Sequence, residues 1–339
     1  MEQANVAVVG ATGAVGEVML EMLGERQFPV DRIFPLASER SAGSAIRFNG
    51  HSSRVENLAD FDFSQADIAL FSAGGAVSAE YAPKAAAVGC VVIDNTSYFR
   101  RDPEIPLIVP EVNLHCLPEY KTRNIIANPN CSTIQMVVAL KPIVDAVGIA
   151  RINVATYQAV SGKGKKGVEE LASQTANLLN AKPIEADVFS KQIAFNAIPH
   201  IGDFEDNGYT NEEMKMVWET RRIFEDESIS VNPTCVRIPV FYGHSEAVHV
   251  ETKTPIEVSE VKQLLAEAEG VSLLDETVDA GYPTAIPDAS GTDPVFVGRV
   301  RKDPTNPCGI NLWIVSDNVR KGAALNSIQI AEVLLKNRQ

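Results

Sequence analysis

Residues 5–16 read Asn-Val-Ala-Val-Val-Gly-Ala-Thr-Gly-Ala-Val-Gly. Asn5–Gly10 is a short, valine-rich apolar run ended by glycine, the pattern of a strand buried on both faces of a parallel sheet. Gly10, Gly13 and Gly16 then recur at three-residue spacing, and a helical pattern runs on through Leu23 to a stop at Gly24. Glycine permits a tight strand-to-helix turn, lets backbone N–H groups approach a pyrophosphate and allows close helix–strand packing. The helix N-terminus adds its positive dipole end. On this reading Gly10, Thr12, Gly13, Ala14 and Val15 line a dinucleotide. A tight turn with no ligand is the alternative; the position of the pattern, at the first strand–helix turn of the chain, argues against it.

Working outward, the same alternation continues. Arg32–Ser38 reads as a second strand, weakened by Pro35. Ala66–Ala73 is another, broken by Gly74 and Gly75 and followed by an alanine-rich helix to about Val88. Cys90–Asp94 and Asn124–Asn128 complete the series. Strands alternating with helices across short glycine turns predict right-handed βαβ units and a Rossmann-type doubly wound parallel sheet, here over residues 1–127. Beyond it the pattern changes. Residues 152–160, 234–251, 295–300 and 310–315 show β-branched alternation, with helical patterns at 167–180, 211–225 and 258–268 between them. This predicts an α+β domain over 128–318 with a mixed, largely antiparallel sheet. Such a sheet needs a cover on its second face, for which a partner subunit is one solution. An amphipathic last helix, within 319–339, is expected to pack back on the first domain.

Composition narrows the function. The chain has 339 residues, a net charge of −14 and 22% charged residues, which argues against a general binder of nucleic-acid phosphates but leaves room for a local anion pocket. The five cysteines, Cys90, Cys116, Cys131, Cys235 and Cys308, are odd in number and irregular in spacing, so neither a disulfide framework nor a metal site is expected. The first residues form no basic n-region, and no apolar run reaches the ~18 residues of a membrane helix. A cytoplasmic protein is the expectation.

Two places carry chemistry of their own. After the second strand stands Ser38-Glu39-Arg40-Ser41. An acidic residue there favours NAD and a basic one NADP. Glu39 points one way, but Arg40 beside two serine hydroxyls suits a 2′-phosphate better, so NADP is expected, held by Arg40 and Ser41. Further on, Asn128-Pro129-Asn130-Cys131-Ser132-Thr133 follows a strand and precedes a helix. Cys131 thus sits in the first turn, where the helix dipole and unsatisfied N–H groups stabilise a thiolate and can hold an oxyanion. A buried structural cysteine is the bland alternative, and is the reading for the other four. A thiolate beside a nicotinamide adds to a carbonyl carbon, and the adduct gives or takes a hydride.

With these residues in view, GATGAVG, ASERSAG, NPNCSTIQ, TYQAVSG, EEMK, RIPVFYGHSEAV and DNVRKGAA together resemble the successive motifs of the aspartate-β-semialdehyde dehydrogenases, from residue 5 to about 333. The basic run Lys163, Lys165 and Lys166 departs from the family's usual smaller loop. The resemblance implies reversible, NADPH-dependent reduction of L-4-aspartyl phosphate to L-aspartate 4-semialdehyde with release of phosphate, through a thioester on Cys131, on the way to lysine, threonine and methionine. It makes His244 the acid–base residue, Gln158 the amide that orients substrate near the thiol, and Arg237 the bidentate grip on the α-carboxylate. It assigns Glu212 to the substrate ammonium, Arg100 and Lys215 to phosphate, and Ser161, Gly162 and Asn318 to the cofactor. It implies a homodimer, with a tetramer as the alternative. Read without the family, Glu212 and Lys215 are an ordinary i,i+3 surface pair, Arg237 is a solvated strand arginine, and His244 ranks barely above His249. Two rivals stay open here: an N-acetyl-glutamyl-phosphate reductase, whose acetylated substrate needs no carboxylate such as Glu212, and a catalytically silent relative kept for assembly. The latter has no need to retain Cys131, Gln158, Arg237 and His244 together.

Overall fold

The computed structural model describes residues 3–337. They form two compact units, residues 3–130 with 323–337, and Cys131–Gly322.

The first unit is built on a six-stranded, wholly parallel sheet. Its spatial order is Glu56–Asn57, Val30–Ala37, Ala4–Val9, Ile68–Phe71, Val91–Asp94, Ile125–Ala127. The order runs outward in both directions from the first strand, the doubly wound arrangement whose ligand crevice opens where the winding reverses, at the strands' carboxyl ends. The strands are short and buried throughout their central members because helices cover both faces. Ala14–Glu25 and Leu325–Lys336 share one hydrophobic core with the sheet, through Met19, Leu23, Ile328 and Leu335. The last α-helix therefore begins at Leu325, later than the expected 319, because Arg320–Ala324 turn in a wider π-helical loop first. Pro35 is accommodated inside its strand. The Leu36 carbonyl accepts from Gly10 N–H and so faces the first strand; by alternation Pro35 faces the outer side, where Glu56–Asn57 pairs only with Leu36 and Ala37. A two-stranded hairpin, Ala45–Phe48 with His51–Arg54, was absent from the expected elements. Its turn is Asn49–Gly50, with φ of 48° and 78°, the Asn-Gly pair that a type I′ turn demands.

The second unit carries a six-stranded mixed sheet in the order Ser230–Arg237, Ile149–Gln158, His244–Thr252, Gly309–Ser316, Val295–Lys302, Val271–Leu273. The outermost pairing on each side is parallel and the three between are antiparallel. The helix Cys131–Val147 lies on one face with Ile134, Val137, Val138 and Leu140 buried. Strand residues pointing the other way, such as Asn153, Ala155, His249 and Asn311, are half-buried at most. The alternating stretch 234–251, expected to break at Gly243, forms two strands joined by residues 238–243, which turn at Gly243 with φ of 90°.

Candidate active site

In the first unit the glycine turn has the geometry a pyrophosphate needs. Gly10 has φ of 87°, and a Cβ on it would stand 3.1 Å from the backbone of Ala73. A Cβ on Gly16 would stand 2.2 Å from the Gly10 carbonyl oxygen, so both positions exclude side chains. Gly13 caps the helix Ala14–Glu25 with no side chain bonded to the first-turn N–H groups. Thr12, Gly13, Ala14 and Val15 are partly exposed around the helix N-terminus. These residues fit a dinucleotide pyrophosphate. Arg40 is exposed and Ser41 half-buried in the turn after the second strand, where Ser41 N–H donates to the Ser38 carbonyl. The guanidinium of Arg54, from the unexpected hairpin, comes within 3.4 Å of where a Cβ on Gly43 would be, bringing a second cation to the same loop. Arg100, also in this unit, is buried, and its Nη2 donates to the Asn95 carbonyl at 2.8 Å.

The second unit gathers most of the remaining candidates into one hydrogen-bonded group. Lys215 Nζ donates to Glu212 Oε2 at 3.0 Å. Gln158 Nε2 donates to Glu212 Oε1 at 3.1 Å, and its Oε1 accepts from Thr156 Oγ1 at 3.2 Å. The same Gln158 amide lies 3.4 Å from His244 Nε2. Ala159 joins two further residues by its backbone: its N–H donates to His244 Nδ1 at 3.0 Å, and its carbonyl accepts from Arg237 Nη1 at 2.6 Å. Ser161 and Asn318 pair at 3.0 Å, and Asn318 Oδ1 also accepts from Gly243 N–H at 3.0 Å. Cys131 is the first residue of its helix, half-buried and not in a disulfide.

The electrostatics follow from burial. His244 is fully enclosed, so its imidazole pKa falls to about 3, the Arg237 cation adding to the desolvation while Glu212 opposes it. It is therefore neutral, and because Nδ1 accepts from Ala159 N–H, the hydrogen-bond network assigns its single proton to Nε2. Burial also lowers the Arg237 pKa, against the Glu212 carboxylate and the sulfurs of Cys131 and Cys235, which favour the cation. The Cys235 thiol is pushed far up by desolvation and beds against Met216, a structural cysteine.

Comparisons with known proteins agree with this architecture. The model for "Semialdehyde dehydrogenase, NAD binding domain" matches residues 5–119, and that for "Semialdehyde dehydrogenase, dimerisation domain" matches residues 140–321. Aspartate-semialdehyde dehydrogenase 2 of Vibrio cholerae serotype O1 is 64% identical, covering 99% of both chains. This chain belongs to the aspartate-semialdehyde dehydrogenase family. The aspartate-semialdehyde dehydrogenase of Aquifex aeolicus is 54% identical over 98% of both chains. A crystal structure of aspartate semialdehyde dehydrogenase II from Vibrio cholerae complexed with ASA superposes with a TM-score of 0.97 at 63% identity, covering 99% of each chain. The protein is thus an oxidoreductase with a nicotinamide-dinucleotide-binding domain and a small-molecule substrate.

Within this dehydrogenase two sequence readings need correcting. The run Val236–Gly243 reads as a strand ended by its glycine with His244 just past it; the strand ends instead at Arg237, and His244 opens the next one, opposite Ser316, after the turn at Gly243. The Glu212–Lys215 pair forms as spacing predicted but is sunk, with 11% and 22% of the side chains exposed, because Gln158 and the sheet close over the helix Asn211–Phe224. Sequence reasoning passed over Gln135, Glu246 and Gly322. Gln135 stands four residues after Cys131 on its helix, and Glu246 two after His244 on its strand, so each shares a face with a marked residue. His249, ranked close to His244 by sequence, is instead engaged with Asp303 at 2.9 Å and Asn153 at 3.3 Å on the sheet's outer side.

Proposed function

We propose that the protein reduces L-4-aspartyl phosphate to L-aspartate 4-semialdehyde, reversibly and with release of phosphate, using NADPH and a thioester on Cys131. One observation carries the reading: Lys215, Glu212 and Gln158 are hydrogen-bonded in series, Ala159 joins His244 to Arg237, and the Gln158 amide lies 3.4 Å from His244 Nε2, all in the unit whose first helix starts at Cys131. A substrate bearing a carboxylate and an ammonium meets a buried guanidinium and a buried carboxylate there, and Gln158 between them orients it. Glu212 also favours the free amine of an aspartyl substrate over an N-acetylated one.

The Cys131 sulfur attacks the acyl-phosphate carbon; the carbon–oxygen bond to phosphate breaks, leaving the thioester, and Arg100 and Lys215 take the phosphate charge. When bound, the nicotinamide supplies or takes the hydride at the acyl carbon. His244 Nε2–H donates to the oxyanion of the tetrahedral thiohemiacetal and gives that bond up as the carbon–sulfur bond breaks, releasing aldehyde and thiolate. Gly10, Thr12, Gly13, Ala14 and Val15 hold the pyrophosphate, Arg40 and Ser41 the 2′-phosphate of NADP, and Ser161, Gly162 and Asn318 the nicotinamide side. The outer face of the mixed sheet, with Asn153, His249 and Asn311, receives a second copy to make a homodimer. The expected setting is the cytoplasm, in the synthesis of lysine, threonine and methionine.

The test is NADPH formation from aspartate semialdehyde and phosphate, repeated with NAD and with the N-acetyl-glutamyl analogue. Cys131→Ser is expected to abolish turnover while NADPH binding, read by its fluorescence, persists. Full turnover in that variant would end the thioester reading.

A further inference from the structure

A hydroxyl that the reaction above leaves unused stands behind Gln158. Thr156 is fully buried, two residues back along the strand Ile149–Gln158 and on the same face as the glutamine. In the sheet register Gln158 is beside Arg237, and Thr156 is beside Cys235 on one side and Glu246 on the other. The Thr156 hydroxyl donates to Gln158 Oε1 at 3.2 Å, while Gln158 Nε2 donates to Glu212 Oε1 at 3.1 Å. Its two cross-strand neighbours do not draw that proton away. Burial pushes the Cys235 thiol far up, so it keeps its own proton, and both oxygens of Glu246 lack a hydrogen-bond partner among the described residues. The Gln158 amide is thus held at both ends, oxygen toward Thr156 and nitrogen toward Glu212.

That orientation bears on His244. Its Nδ1 accepts from Ala159 N–H, so the ring proton sits on Nε2, and the atom 3.4 Å from Nε2 is the Gln158 nitrogen, which cannot accept it. Turned end for end, the amide would offer its oxygen to that proton and close the histidine off. We propose that Thr156 is a positioning residue that keeps the Gln158 carbonyl turned away from His244, so that the Nε2 proton stays free for the reacting oxygen of the substrate. Thr156 acts through Gln158, not on the substrate. Valine has nearly the same shape and an equal preference for strands, so the fold needs no hydroxyl here. A buried hydroxyl costs stability unless it is bonded, and the bond it makes is the one that fixes the amide. Without it the carbonyl is left buried with no donor, and the nearest N–H it can turn to is that of His244.

The inference rests on the proposed roles of Gln158 and His244, and the experiment separates the two. Thr156→Val, which removes the hydroxyl at constant shape, and Thr156→Ser, which keeps it, are compared in the full-length enzyme with its cofactor. Thr156→Val is expected to lose about 10- to 100-fold in kcat, part of what a general acid supplies, with KM for phosphate and for NADPH within about twofold of the parent. Thr156→Ser is expected to stay within about threefold of the parent in kcat, because the donor remains. A Thr156→Ser enzyme as slow as Thr156→Val would overturn the proposal. In a Gln158→Ala background Thr156→Val should cost nothing further, since there is no amide left to orient; losses that simply add would also overturn it. A readout independent of turnover is the ring N–H resonance of His244 in isotope-labelled enzyme, assigned by its disappearance in His244→Gln. It should move downfield in Thr156→Val, as the proton gains the Gln158 oxygen, and return in Thr156→Ser. An unmoved resonance would overturn the proposal whatever kcat does. A moved resonance with parental kcat would leave the hold of Thr156 on the amide standing and end the part of His244 in the reaction instead.

Discussion

A Cβ added to Gly322 would stand 2.7 Å from the Cβ of Cys131. The π-helical turn Arg320–Ala324 thus brings bare backbone against Cys131, the proposed nucleophile, and it is anchored: Asp317 accepts from Val319 and Arg320 N–H at 2.8 and 2.9 Å, and from Gly291 N–H at 2.8 Å. Gly322 has no left-handed φ, so alanine there meets a contact problem and no backbone strain. Gly322→Ala is expected to cut kcat about 10- to 100-fold through displacement of the sulfur. The alkylation rate of Cys131, measured beside kcat, should change with it; a normal rate of both would show that the loop yields.

The parts of this site that sequence made legible are those whose signal is local. The glycine turn, the cysteine at a helix start and the order of strands in the first unit all come from contiguous residues whose spacing has one physical reading. What stayed hidden depends on register. The turn at Gly243, the single glycine in 234–251, is marked in the sequence; that the preceding strand ends six residues earlier, at Arg237, and that His244 opens a new one is not. The burial of Glu212 follows from Gln158 arriving from a strand 54 residues away. Glu246 and Gln135 are 111 positions apart, and alone each looks like a solvated polar residue. The Asn49–Gly50 hairpin was legible in principle, since the dipeptide names its turn type.

The neutral state of His244 gives a pH dependence to stability. Its pKa falls from an ordinary 6.5 to about 3 on folding. Below 6.5 the unfolded chain binds a proton that the native state refuses, so its contribution is complete above that value and lost as pH falls toward 3. Asp226 and Asp303, both held near 2 by hydrogen bonds and partners, act in the same direction but only below the ordinary carboxylate range. Buried Glu246 and Asp94, whose carboxyls desolvation pushes up, act in the opposite direction as pH falls, so the His244 contribution, up to about 1.4 kcal/mol per pH unit between about 6.5 and 4, is read from the difference between two proteins. Urea unfolding between neutral pH and pH 4 should show the parent losing more stability, or gaining less, than His244→Gln as pH falls. An equal slope in both would contradict the buried, neutral assignment.

Gly162 makes room for Arg237, the proposed grip on the substrate carboxylate. A Cβ on it would lie 2.8 Å from Arg237 Nη1, the same nitrogen that donates to the Ala159 carbonyl at 2.6 Å. Gly162 is exposed and has no left-handed φ, so alanine is tolerable to the fold. Gly162→Ala should rotate the guanidinium off its bidentate geometry and raise KM for semialdehyde about tenfold, the scale of one charge-assisted hydrogen bond. The thermal midpoint should stay within about 2 °C of the parent. An unchanged KM would remove Arg237 from substrate binding.

Cofactor choice is a separate matter of charge at one loop. Arg40 is exposed beside Ser41, and Arg54 reaches the same loop near Gly43. A 2′-phosphate there gains one or two charge-assisted bonds that a 2′-hydroxyl lacks. Arg40→Ala should raise KM for NADPH about 10- to 100-fold and leave that for NADH within about threefold. Parallel changes in both would assign Arg40 a general role and leave the discrimination to other residues.

The sunken pair Glu212–Lys215 gives a test of the proposed division between substrate and phosphate. One oxygen of Glu212 accepts from Gln158 and the other from Lys215, so the carboxylate is held from two sides while Lys215 keeps 22% of its side chain exposed. On the proposed reading Glu212 meets an ammonium and Lys215 an anion, and their losses should register on different substrates. Lys215→Ala should raise KM for phosphate in the oxidative direction about tenfold, with a smaller effect on semialdehyde because Gln158 still steadies Glu212. Glu212→Gln keeps the shape and one acceptor but drops the charge; it should raise KM for semialdehyde about tenfold and spare phosphate. If the two residues formed only a solvated i,i+3 pair, neither KM would move, since such pairs contribute about 0.5 kcal/mol of stability and no recognition. Steady-state titration of each substrate at saturating levels of the other distinguishes the cases, and crossed effects, Lys215 acting on semialdehyde and Glu212 on phosphate, would reverse the assignment.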